Sequence, residues 1–156
     1  MAETARETGR ELVSRWWSEA WTEGLWAASW PKALEGLTPE QAAWRPPGVG
    51  GKRHSIWQLV LHMVFWRESW LRRAATGQKP SEQELATGNF PEIKDVSQRA
   101  WDEALARFGS TQERTAAVLK DLDPKNDPIT YYLPHDCYHM GQIMYLRAMQ
   151  GLAPIE

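Results

Sequence analysis

The chain has 156 residues, 42% of them hydrophobic and 24% charged, a balance that excludes a disordered chain and predicts one globular domain over residues 1–156. A net charge of −2 gives no electrostatic reason to expect a nucleic acid or an anionic membrane as partner. The lone cysteine, Cys137, excludes an intramolecular disulfide framework and, with a charged N-terminal stretch lacking the apolar core of a signal peptide, leads to the expectation of a cytoplasmic protein.

Strand signals are weak, and helical periodicity recurs along the chain. The pattern predicts a first helix from about Thr4 to Trp30, with Leu12, Trp16, Ala20 and Trp26 facing inward, ended or kinked by Pro31. A long connection follows, in which Thr38 and Pro39 mark a short helical turn. Ser55 and Gln58 form a capping box before the run IWQLVLHMVFWRESWLRRAA, which should stop at Gly77. The most apolar stretch, SIWQLVLHMVFW, is too short to span a bilayer and carries a histidine. The segment QKPSEQELATGNFPEIKD is longer than a bundle turn needs, which suits a crossover or the wall of a site. A third helix fits SQRAWDEALARFGSTQERTAAVLKDL, with Trp101, Leu105, Phe108, Thr115 and Leu119 as its stripe and DPKNDP as its stop. The fourth starts from Thr130 as cap if Pro134 falls in its first turn; an earlier start would place a kink at Pro134. The sum is an all-α four-helix bundle with long connections between helices 1 and 2 and helices 2 and 3. Ten tryptophans point first to tight packing or a dimer surface.

The last helix carries LPHDCYHMGQIMYLRAMQGL. His135 and His139 lie about 40° apart on it, and Gln142 and Leu146 share their sector, which is read as the inward one. Two imidazoles at this spacing reach one ion in helical zinc motifs, although the spacing alone is weakly specific. His62 strengthens the case. It lies on the stripe of Leu59, Trp66 and Trp70, where a lone histidine is more often a core residue satisfied by a carbonyl or water. Three imidazoles buried in one bundle are costly unless each nitrogen finds a partner, and one divalent ion serves all three. His54, in the basic loop GGKRH, is expected to be solvated and outside the site. Cys137 points away from both histidines of its helix and reads as a structural thiol. Asp136 stands where a zincin carries glutamate, but about 100° off the histidine face, so no zincin is read.

Three stretches, SIWQLVLHMVFWRESWL, HDCYHMGQIMYLRAMQG and GLTPEQAAWRPP, together resemble the DinB/YfiT-like superfamily of small bacterial metal-binding four-helix proteins. The resemblance runs from about Leu12 to Gly151. It implies that His62, His135 and His139 are metal ligands, that Trp44-Arg45-Pro46 and Gly141-Gln142 mark the fold, and that the protein forms a homodimer. Pro31 within the first helix and Pro134 beside a ligand depart from the pattern.

Three neutral ligands leave an ion its double charge and an open position, as in catalytic sites. Such an ion lowers the pKa of bound water toward about 7 or holds a thiol as thiolate. Some relatives that the resemblance brings in are transferases and isomerases using low-molecular-weight thiols such as bacillithiol or mycothiol; others are described as metal-dependent hydrolases. The leading expectation is a thiol-dependent S-transferase acting on a small-molecule substrate, with a water-activating hydrolase as the alternative. A non-enzymatic stress-response or interaction bundle, its metal only tying helices 2 and 4, is a third reading. Haem held by two axial histidines is a fourth, and it would leave one histidine idle. Zinc is the expected metal, with nickel as the alternative. No general base declares itself; Gln142, Tyr138 and Asp136 are candidates only for orienting an imidazole.

Overall fold

The computed structural model describes residues 7–48, 53–121 and 128–155. The expected helix start at Thr4, residues 50–52 of the basic loop and the stop signal at 123–127 lie outside them.

Helix α1 spans Gly9–Thr22, and its start is fixed by Thr8 and Glu11 in a reciprocal capping box. It does not run on to Trp30. Gly24 adopts φ 81, and its N–H returns to the Glu19 carbonyl at 2.7 Å, closing the helix by a left-handed turn that favours glycine. Pro31 then opens a second helix, α2 (Trp30–Leu34), instead of ending the first, because a proline in the first turn gives up no hydrogen bond. The break also shifts the buried face. Trp17 and Ala20 are buried, Leu12 is half-buried, and Trp16 and Trp26 are exposed. Trp26 lies in the turn beyond the helix, so helical phase does not govern it.

Thr38 caps α3 (Pro39–Ala43). The long α4 (Ile56–Thr76) starts at the Ser55–Gln58 capping box and ends at Gly77 with φ 74, as its sequence predicts. A short α5 (Glu82–Gly88) occupies part of the stretch read as a crossover or the wall of a site, on a further capping box of Ser81 and Glu84. Ser97 caps α6 (Gln98–Leu119). A 3-10 turn at Pro128–Tyr131 leads into α7 (Tyr132–Met149). Thr130 lies in that turn and is not the cap; Tyr131 takes the cap position without a side-chain bond. Pro134 falls in the first turn of α7, where its missing N–H has no intrahelical partner to lose.

The described residues therefore form an all-α fold with four long helices, α1, α4, α6 and α7, and three short ones in the connections. This corrects the simple bundle with irregular links. Helix α4 is the hub: α3, α5, α6 and α7 all pack on it, while α1 packs on α6 and α2, and α2 on α7. That central place explains its nearly unbroken apolar run. The buried tryptophans are core-forming, with Trp17 edge-on to Trp30 at 5.4 Å and Trp57 tilted on Trp101 at 5.0 Å. No described helix is long and apolar enough to cross a membrane.

Candidate metal centre

The packing of α7 on α4 brings His62, His135 and His139 together. The Nε2 atom of His135 lies 3.1 Å from Nε2 of His62 and 3.1 Å from Nε2 of His139. The three form a group whose ligand atoms all lie within 4.8 Å of one another, and no other described His, Cys, Asp or Glu joins them.

The outer nitrogens decide what the inner ones are. Nδ1 of His62 meets the Asn89 carbonyl oxygen at 3.0 Å. That of His135 meets Asp136 Oδ1 at 2.7 Å, and that of His139 meets Gln142 Oε1 at 2.7 Å. All three partners are acceptors, so each Nδ1 carries the proton and donates it. Each Nε2 is then left with a lone pair, and the three lone pairs converge. None can donate to another, which is unfavourable until a cation stands among them. Tetrahedral zinc, with Zn–N near about 2.0–2.1 Å, sets its nitrogens about 3.3 Å apart, close to the spacing seen. The cluster is able to coordinate a divalent metal ion.

Electrostatics agree. Burial, followed by the nearby His139 ring, pushes the His62 imidazole down from 6.5 to about 4, against the opposing pull of the Asn89 carbonyl. Burial likewise lowers His139, opposed chiefly by Gln142. Both rings are thus held in the neutral form that binds metal. His62 and His139 are buried, whereas the His135 side chain is 30% exposed, so the cluster opens to solvent on that side. A cavity of about 840 Å³ lies behind Gln142, its wall including Arg53, His54, Cys137 and Tyr138 but none of the three histidines.

Several neighbours sit differently from expectation. His54 is half-buried and stacked on Phe90 at 3.7 Å, though it stays outside the cluster. Cys137 is half-buried beside the core and borders the cavity, and burial raises its thiol pKa. The histidine sector is not the innermost one: the deepest face of α7 runs through Leu133, Asp136, Met140 and Ile143, with Asp136 fully buried, and the histidines stand at its edge. Gln142 and Asp136 do orient imidazoles, and Tyr138 backs Gln142 by accepting from its Nε2 at 3.0 Å. Sequence reasoning missed Arg67, whose Nε donates to Asp136 Oδ2 at 2.7 Å with both side chains fully buried. A signal existed: Arg67 interrupts the stripe of Met63, Val64, Trp70 and Leu71 at helical spacing. It also missed Asn89, whose contribution comes from the backbone.

A model of the DinB superfamily matches residues 22–144, a span holding all three histidines and the partners of their outer nitrogens. The chain belongs to the DinB superfamily. Comparison with curated proteins and with solved structures gives no match. Of the positions expected to mark the DinB fold, Arg45 pairs with Glu92 at 3.0 Å, tying the turn after α3 to the segment before α6. Gly141 has open space where a Cβ would stand, so packing does not demand glycine there.

Proposed function

We propose that His62, His135 and His139 hold one divalent ion, zinc first and nickel as the alternative, and that the protein is a metal-dependent S-transferase using a low-molecular-weight thiol. The observation that carries this reading is the convergence of three Nε2 lone pairs whose Nδ1 protons are all committed outward. When bound, the ion supplies the Lewis acidity that favours the thiolate form of a thiol in its open position.

The chain's own residues supply binding and orientation. Asn89, Asp136 and Gln142 fix the three rings, and Phe90 covers His62. The exposed side of His135 gives thiol and electrophile access to the cluster. Thiol transfer is favoured over hydrolysis because it asks least of the protein: the sulfur gives its proton to solvent, and its bond to carbon forms as the electrophile's leaving group departs as an anion. Hydrolysis asks for a base and then an acid for the leaving group. Asp136, the carboxylate that touches the cluster's histidines, is committed to His135 and Arg67. The tyrosines Tyr131, Tyr138 and Tyr145, all exposed, support a homodimer contact along α7. Residues 1–156 are read as one domain working in the cytoplasm.

The test begins with metal analysis of protein purified without a histidine tag, expected to give about one ion per chain. Loaded and metal-free protein are then incubated with an electrophilic small molecule and a panel of small thiols. Conjugation by the loaded form alone supports the transferase. Turnover of esters or amides without thiol makes the protein a hydrolase, and metal retention with neither activity leaves a structural tie between α4 and α7. A native protein that takes up no metal ends the reading.

A further inference from the structure

Arg67 is 1% exposed, in the middle of the hub helix. Its guanidinium carbon lies 4.7 Å from the ring centroid of Trp17, 4.8 Å from that of Trp30 and 4.3 Å from that of Phe108, so α1, α2 and α6 each contribute a wall. Its Nε donates to Asp136 Oδ2 at 2.7 Å and its Nη1 reaches Thr111 Oγ1 at 3.4 Å. Its Nη2 has no hydrogen-bond partner among the described residues. As a device for stability this is poor. A buried ion pair with an unsatisfied nitrogen is commonly matched or exceeded by an apolar pair of the same volume.

What the pair does instead is visible at the other carboxylate oxygen. Asp136 Oδ1 lies 2.7 Å from His135 Nδ1, so one side chain joins the caged guanidinium to the cluster. His135 is the ring that most needs such a hold. His62 is stacked on Phe90 at 4.1 Å and His139 is buried, whereas the His135 side chain is 30% exposed. We propose that Arg67 is a positioning residue for the three-histidine site: it fixes Asp136, which fixes the ring of His135 with Nε2 aimed at the cluster. The inference rests on the metal reading above and extends it to a residue that touches none of the ligands directly. Such partners of a ligating imidazole typically account for about 10- to 100-fold in metal affinity.

The experiment compares wild type, Arg67→Met and the double variant Arg67→Met/Asp136→Asn by two readouts. One is the imidazole N–H spectrum of the metal-free protein, which reports the His135 Nδ1 proton whether or not metal binds. The other is zinc affinity by competition with a chelator. The wild type should show a downfield, slowly exchanging His135 Nδ1 proton. Arg67→Met should lose it, lose thermal stability because a carboxylate is left buried alone, and bind zinc about 10- to 100-fold more weakly. The double variant, with no stranded charge, should regain stability yet keep the weak affinity. It also carries the comparison if the single variant does not fold. Recovery of affinity together with stability, or an unchanged Nδ1 signal in a folded Arg67→Met protein, overturns the proposal. A wild type that shows the Nδ1 signal but binds no zinc overturns the metal reading, and the spectra still decide whether Arg67 holds the ring.

Discussion

The imidazole of His62 lies flat on the ring of Phe90, centroids 4.1 Å apart and planes 7° from parallel. His54 stacks on the same ring at 3.7 Å and 11°, so Phe90 is layered between two imidazoles. Residues on either side of it complete a strap along α4. Asn89 accepts from His62 through its carbonyl and from Trp66 Nε1 through its side chain, and the Pro91 carbonyl accepts from Gln58. Gln58, His62 and Trp66 are four residues apart, so the strap follows one face of the helix.

Phe90→Leu tests the strap. Leucine keeps apolar bulk but cannot stack, and each aromatic pair is worth about 0.5–1.5 kcal/mol beyond its buried area. The expected outcome is a folded protein destabilised by about 1–2 kcal/mol in urea titration. An unchanged midpoint would mean that the stacking follows from the fold and adds nothing to it.

His139→Ala and His54→Ala separate the cluster from its surroundings. Removing His139 takes away one of three Nε2 atoms, and bound metal should fall from about one ion per chain to a trace by elemental analysis. Removing His54, which stacks on Phe90 but lies outside the group, should leave the stoichiometry intact. Equal losses would place His54 in the site and contradict the geometry.

The contrast between these histidines shows where the sequence was readable. His135 and His139 share a face by helical geometry alone, and the Ser55–Gln58 box fixes where α4 begins and hence where His62 falls. Nothing local reveals what each outer nitrogen touches. Asn89 serves His62 through a backbone carbonyl, which any residue carries, and its place depends on the course of a connection. Arg67 and Asp136 are 69 positions apart, and each in isolation reads as a solvated charge. Trp16 and Trp17 show a similar limit: two adjacent aromatics leave the phase of the apolar face open, and only the close of α1 at Gly24 and the packing on α6 choose Trp17. The short α5 is different, since its Ser81–Glu84 box was in plain view within a stretch whose prolines and glycines suggested loop.

Acid should destabilise the metal-free protein through His62. Its folded value lies at about 4 against an ordinary 6.5, so between these values the unfolded chain binds a proton that the folded one refuses. Stability from this group is therefore fully present above pH 6.5, falls as pH drops through the window, and is exhausted near pH 4. His139, lowered in the same direction, adds to the slope. Urea midpoints measured across the window should decline toward acid more steeply in wild type than in His62→Gln. Parallel curves would show that the buried imidazole is not the source.

Glycine replacements test whether the break after α1 is built into the backbone. Gly24 has φ +81, and a Cβ there would sit 2.0 Å from the Ala27 carbonyl oxygen and 2.9 Å from the Ser29 nitrogen. Both obstacles are backbone, so no side chain can swing away to relieve them. Gly36 has φ +71 but nothing within 4 Å of a Cβ, which leaves only the left-handed conformation itself to disfavour alanine. That conformation costs a residue with a Cβ about 1–2 kcal/mol. Gly36→Ala should lose about that much in urea titration, whereas Gly24→Ala should lose more, since the turn must open to admit the methyl group. Opening it would shift Trp30 from its edge-on contact with Trp17, so the near-ultraviolet circular dichroism of the tryptophans should change in Gly24→Ala and stay unaltered in Gly36→Ala. Equal losses at the two sites would mean that the turn relaxes freely and that α1 ends where it does for some other reason.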